Sequence, residues 1–361
     1  MPLLNLFDYE QRAAELLDKS ALGYYSSGAR DQISLRNNRS AWEEISLLPH
    51  ILVDVSKRNS QTTILNNPIS MPLIVAPTAM QKMAHPEGEI ATARAVGQAG
   101  SIMILSTLST VPVEEVTAAA TGPIWFQLYI YKQMKDTAKL IERATKAGCS
   151  AIVITVDAPV WDVREADSRN QFALPEGMSL ANLTGEMSNV DTQSGHASGL
   201  GANLNKYLSS SNTWQTIRDV QKLTDLPIFL KGVLRTDDAL RAVDSGLQGV
   251  IISNHGGRQL DTAAPTVTRI APVSQAVGDQ IEVLVDGGIR RGTDVIKAIA
   301  LGAKAVMVGR PILWGLTVDG ADGVGQVLAL LREEIETAMA LCGCPSVADI
   351  DADLLQLPPN L

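Results

Sequence analysis

The chain has 361 residues, 45% of them apolar and only 4% aromatic, with 30 basic against 39 acidic side chains and a net charge of −9. This composition supports a large core and excludes wholesale disorder, and the length suits either two ordinary domains or one α/β barrel with insertions. The negative charge argues against a general nucleic-acid binder, and no run reaches the roughly 18–20 apolar residues of a membrane span.

Cys149, Cys342 and Cys344 are too few for a disulfide framework or a zinc site, so structural thiols, no metal and a reducing compartment are expected. The N-terminus lacks the basic start of a signal peptide, and the final Pro-Pro-Asn-Leu does not match Ser-Lys-Leu. A cytoplasmic location is expected, with looser peroxisomal addresses left open.

The first 70 residues read as helices and turns, with an amphipathic helix over 8–20 that breaks at Tyr24-Tyr25-Ser26-Ser27-Gly28. Eight short apolar runs follow, at 73–76, 102–105, 124–128, 151–156, 228–231, 249–253, 282–286 and 304–308. They lack polar alternation, as parallel strands buried on both faces do. Residues 87–99, 134–147, 236–245 and 291–301 carry helical periodicity between them. Thr236 and Thr293 are expected as N-caps, and Gly100, Gly148, Gly246 and Gly302 as C-terminal caps. Glu114-Glu115 reads as the acidic first turn of another helix, and His85-Pro86 as structural.

Eight strand–helix units predict a closed (β/α)8 TIM barrel over 71–345 in a single-domain chain, after an N-terminal helical segment at 1–70. One connection breaks the rhythm: about 70 residues separate the fourth strand from the fifth. They give an inserted loop at 158–213, whose polar part, 185–212, reads as a mobile flap over the barrel mouth. A plain surface insertion is the alternative.

In this fold the C-terminal strand ends build the active site. The eight ends here carry Ala76-Pro77-Thr78-Ala79-Met80, Ser106-Thr107-Leu108, Gln127-Leu128-Tyr129, Thr155-Val156-Asp157, Lys231, Ser253-Asn254-His255-Gly256-Gly257-Arg258, Asp286-Gly287-Gly288-Ile289-Arg290 and Gly309-Arg310. The last two are glycine-rich turns that each end in an arginine. Adjacent turns of that kind read as a phosphate cradle, against two ordinary turns with surface arginines.

Lys231 at a buried strand end calls for an anion or an electron-rich ring such as a flavin, or else a salt bridge to a neighbouring carboxylate. His255, with two glycines clearing space around it, suits a general base, and Asp157 a partner that orients it. Arg258 suits a bidentate grip on a carboxylate.

The stretches SNHGGRQLD, DGGIRRGTD, APTAMQKMAHPEGE, WFQLYIYK and TVDAPV together resemble the FMN-dependent L-2-hydroxyacid oxidases and dehydrogenases, the glycolate and lactate oxidase family, from Tyr9 to about Cys344. The resemblance implies FMN as cofactor, His255 as base and Asp157 as its partner. It also implies Arg258, Arg164 and Tyr24 on the substrate carboxylate, and Tyr129 on the hydroxyl or developing carbonyl. Thr78, Ser106, Gln127, Thr155, Lys231 and Ser253, next to Ala76 and Pro77, would line the flavin. Asp286, Gly287, Gly288, Arg290, Gly309 and Arg310 would hold its ribityl chain and phosphate.

Two positions depart from the family pattern. Leu108 replaces the tryptophan of glycolate-specific members, which favours lactate or a longer acid. Trp161-Asp162-Val163 stands where a glycine and a second basic residue are usual, before Arg164. The expected activity is oxidation of an L-2-hydroxy acid, L-lactate ahead of glycolate, to the 2-oxo acid, with O2 reduced to hydrogen peroxide. Alternatives are a dehydrogenase passing electrons to a quinone, a monooxygenase, an FMN-dependent isomerase and a non-catalytic barrel. The resemblance also implies a homotetramer.

Overall fold

The computed structural model describes residues 2–183 and 199–358. Eight short strands close a parallel barrel: β1 (Leu73–Val75), β2 (Met103–Leu105), β3 (Ile124–Leu128), β4 (Ile152–Thr155), β5 (Ile228–Val233), β6 (Gly249–Ile252), β7 (Glu282–Asp286) and β8 (Ala305–Val308). They pair in chain order, and β8 returns to β1 with Val306 opposite Leu73.

The pleat sorts each strand into an outer and an inner set. Outward residues such as Val75, Leu105, Leu128 and Ile154 pack with the surrounding helices. Ile74, Ile104, Trp125, Val153, Phe229, Ile251, Leu284 and Met307, one per strand, form a separate inner cluster. Ile64 and Ile69 join it from a hairpin, Thr62–Ile64 with Asn67–Ile69, whose Leu65 N–H bonds Glu282 at the start of β7. The hairpin plugs the bottom of the barrel.

Helices over Gly88–Gln98, Met134–Lys146, Thr236–Asp244 and Gly292–Ala300 lie where the periodicity placed them. Gly100, Gly148, Gly246 and Gly302 follow them in the left-handed region, which lets the chain turn back into the next strand. Thr236 and Thr293 are not caps. The cap positions fall on Arg235 and Arg291, and Asp294 accepts the Arg290 and Arg291 N–H groups instead. Glu114 and Glu115 occupy the first turn of Val113–Ala119. His85 packs on Gly320, at the break that divides the long helix Arg310–Cys342.

The N-terminal segment differs from expectation in its division. The first helix, Leu6–Leu16, ends early because Asp18 caps a second one, Lys19–Ser26. Tyr24 and Tyr25 are therefore helical and buried rather than a break. A third helix, Ile33–Glu43, lies on the turns after β6 and β7, with Asn38 bonded to Asn254 and Trp42 donating to the Gly287 carbonyl. The segment also holds a short strand, Ser46–Leu47, paired with Leu355–Gln356.

In the insertion after β4, residues 184–198 lie outside the described residues, so the expected mobile flap is described only from 199 onward. There a helix, Gly199–Tyr207, forms with Leu204 buried. No described helix is long and apolar enough to cross a membrane.

Candidate active site

Two residues beyond the inner apolar ring, the same face of each strand carries Ala76, Ser106, Gln127, Thr155, Lys231, Ser253, Asp286 and Gly309. The barrel thus passes from an oily plug to a polar floor within one pleat repeat. Above it the barrel mouth opens into a cavity of ≈ 130 Å³.

Two bonded groups hold the floor, Lys231 with Ser253 and Asp286, and Gln127 with Ser106 and Thr155. Lys231 Nζ donates to Ser253 Oγ at 3.0 Å and pairs with Asp286 at 3.3 Å, so the salt-bridge reading of Lys231 holds. The pair still leaves Asp286 Oδ1 buried without a partner among the described residues. Gln127 accepts from Ser106 and the Thr107 N–H, and donates to Thr155 at 3.0 Å.

At the rim, His255 Nδ1 lies 2.9 Å from Asp157 Oδ1. A carboxylate only accepts, so Nδ1 carries the hydrogen and Nε2 is left with its lone pair when the ring is neutral. Burial, reinforced by the Lys231 and Arg258 cations, holds the His255 pKa below its ordinary value against the opposing pull of Asp157. Burial alone would raise the Asp157 carboxyl, but His255 and Lys231 bring it below its ordinary value. A neutral base beside an ionised carboxylate is the result.

His255 has φ 59°, which is uncommon for a residue with a Cβ, and its N–H is held by Ser253 Oγ. The following glycines do not clear space for the imidazole as expected. A Cβ on Gly256 would press on the Arg310 guanidinium at 2.9 Å, and one on Gly257 on the Leu35 backbone at 2.6 Å. Asn254, of which no role was expected, ties this turn to Asn38, Ala264 and Gly257.

Cations line the rest of the wall. The Arg258 and Arg164 guanidiniums each sit 4.9 Å from the Tyr24 ring, and Arg164 also pairs with Asp167. Arg290 lies over Trp314 and makes no salt bridge among the described residues, while Arg310 donates to the carbonyls of Tyr25, Gly256 and Ser27. Burial, then Arg164, lowers Arg258 to about 10, and burial lowers Arg290 to about 10. Arg310 falls well below its ordinary value through burial and its two cationic neighbours. Anions in this cavity would relieve that mutual repulsion.

Of the expected residues, Ala76, Pro77, Thr78, Ser106, Leu108, Gln127, Tyr129, Thr155, Arg164, Lys231, His255, Arg258, Asp286, Gly287, Gly288, Arg290, Gly309, Arg310 and Tyr24 all face the cavity. Two stand behind its wall: Asp157, as a partner to the base should, and Ser253, which braces Lys231 and His255 instead of lining the site. Tyr25, Ala79, Trp161, Gly256, Ile289, Met307, Val308 and Leu313 also line the cavity, with no site role expected of them. Tyr25 fixes its hydroxyl on the Met80 carbonyl, a contact between distant segments that no local pattern announces.

Floor, rim and cations together define a class: a (β/α)8 barrel whose mouth is a cation-lined cavity beside a hydrogen-bonded histidine–aspartate pair. The comparisons make this particular. Residues 13–357 match the FMN-dependent dehydrogenase family. The chain is 49% identical to an L-lactate oxidase of Nostoc sp. over 359 residues, 98% of each protein. It is 48% identical to glycolate oxidase 3 of Arabidopsis thaliana, covering 97% of this chain and 95% of that one. Its fold superposes on a crystal structure of mandelate oxidase with (S)-4-hydroxymandelic acid at a TM-score of 0.92, 42% identity and 98% of both chains. The chain belongs to the FMN-dependent dehydrogenase family, and its cofactor is FMN.

The donor set fits that group. A phosphate suits the Arg290 and Arg310 guanidiniums, which meet at the start of Arg310–Cys342. The orphaned oxygen of Asp286 suits a hydroxyl, and Lys231 the ring.

Proposed function

We propose that this protein oxidises an L-2-hydroxy acid, L-lactate ahead of glycolate, to the 2-oxo acid, with O2 reduced to hydrogen peroxide. The observation that carries this reading is a neutral, carboxylate-backed imidazole sharing one cavity with the guanidiniums of Arg258 and Arg164. Arg258, Arg164 and Tyr24 bind the substrate carboxylate and so fix which carbon faces His255. His255 Nε2 takes the proton lost as the hydroxyl-bearing carbon becomes a carbonyl. Asp157, bonded to Nδ1, holds the ring in that tautomer and stabilises the imidazolium.

Burial raises the Tyr129 hydroxyl above its ordinary pKa, so it stays protonated and donates to the substrate oxygen. FMN, when bound, supplies the two-electron acceptor and passes the electrons to O2. Ala76, Pro77, Thr78, Ser106, Gln127, Thr155 and Lys231 would hold its ring, and Asp286, Gly287, Gly288, Arg290, Gly309 and Arg310 its ribityl phosphate.

Leu108 in the wall leaves room for a methyl at C3, and the similarity to a lactate oxidase supports that substrate. A homotetramer is part of this reading. Leu48, Ile51, Leu52, Val53 and Leu341, exposed apolar side chains with Leu52 fully exposed, support association between copies but not their number.

The purified protein is expected to be yellow, to bleach on L-lactate without oxygen, and to form peroxide under air. His255→Gln should keep the colour and slow bleaching by ~10²–10⁴-fold. Unslowed bleaching would remove His255 from the base role. Dye reduction without peroxide would make the protein a dehydrogenase.

A further inference from the structure

Trp161, which stands outside the barrel in the inserted loop, lines the same cavity as Leu108. Its indole meets Tyr129 edge to face at 5.7 Å, and the Arg164 guanidinium lies 5.2 Å from its ring. It therefore stands among residues that contact substrate in the reading above, on which this inference rests.

What holds the indole there is the helix Gly199–Tyr207. Its Asn205 grips the Trp161 backbone from both sides, accepting from the N–H at 2.7 Å and donating to the carbonyl at 3.4 Å. The ring itself lies on Gly201, where a Cβ would come within 2.8 Å of Trp161 Cδ1. Among the described residues the buried indole N–H has no hydrogen-bond partner, and the ring's orientation there is set by steric seating rather than a polar bond. The helix is in turn fastened to the loop after β3 by Lys132. Its ammonium bonds the Asn205 and Lys206 carbonyls, and its N–H bonds the Tyr207 carbonyl.

We propose that Trp161, seated on the inserted helix through Gly201 and Asn205, selects the substrate side chain and confines the site to short 2-hydroxy acids. A rigid indole cannot fold away as a leucine or methionine would, so the space beside the substrate's C3 ends at its face. The inserted loop then contributes specificity, and Gly201 and Asn205 act as positioning residues.

The test compares kcat/KM for L-lactate and for L-2-hydroxyoctanoate in the FMN-loaded enzyme. Trp161→Leu should raise the octanoate-to-lactate ratio by about 10-fold or more, the scale on which hydrophobic pockets discriminate. Gly201→Ala, which unseats the ring toward the cavity, should raise KM for the longer acid more than for lactate while the yellow band is retained. It also supplies the answer if Trp161→Leu fails to hold FMN.

Ratios unchanged within about twofold in a yellow variant, on that same scale, would overturn the inference. A yellow wild-type enzyme that oxidises no 2-hydroxy acid would instead overturn the oxidase reading, and the inference with it.

Discussion

The floor and the substrate wall of this cavity are built in opposite ways. The floor is made of strand residues whose direction follows from the pleat: each lies two positions past a residue of the inner apolar ring. The wall is made of Tyr24 from the N-terminal segment, Trp161 and Arg164 from the insertion, and Leu108 from a strand-end loop. Strand-borne groups share the rigidity of the barrel, and loop-borne groups depend on contacts between distant segments, such as Arg30 with Asp162. The difference teaches where tolerance lies. Damage to the floor should cost the fold and the cofactor together, and damage to the wall should move substrate binding.

The most severe break is Lys231→Met. It leaves the Asp286 carboxylate buried without its cation, and both side chains are nearly inaccessible to water. A loss of about 3–5 kcal/mol is expected in denaturant melts, with weakened FMN retention. A stable, yellow variant would mean the floor is more forgiving than the wall.

A pH profile sharpens the contrast at the rim. His255 must be neutral to take a proton, and its pKa is held below the ordinary value by burial and by Lys231 and Arg258. The acid limb of kcat/KM should therefore fall below pH ~6.5, with activity rising as pH increases through the limb and then levelling. The same depressed value means that acidification favours the unfolded chain, which binds the proton more readily. A limb above the ordinary value would show that Asp157 outweighs burial.

The smallest effect is expected from Arg30→Ala, which cuts the Arg30–Asp162 pair at the base of the insertion. The arginine is about half exposed, so stability should change by no more than ~1 kcal/mol. Any change should appear in KM rather than in the absorption spectrum.

Much of this site was legible in one dimension. Apolar runs of three to six residues, each followed by a polar group, identify strand ends, and strand ends in a closed barrel converge. His255, Lys231 and the paired glycine–arginine turns were found that way. Tyr24 and Arg164 were not: they belong to segments outside the barrel and entered only through family resemblance. The glycines show why residue type alone misleads. Gly288 was read as part of a phosphate cradle and does line the cavity. Its missing Cβ is also demanded by Asn38, whose carbonyl oxygen such an atom would approach to 1.9 Å.

The order of strands and helices and the polar ring at the strand ends, with His255 and Lys231 in it, were determined by the sequence itself, because the two-residue pleat and the helical period are local properties of the chain. Only the tertiary structure decided that Tyr24 sits between two guanidiniums, that Ser253 braces rather than lines, and that Trp161 rests on Gly201. Those contacts join segments tens to hundreds of residues apart, and their geometry exists only once the barrel has closed and the outer segments have packed against its mouth.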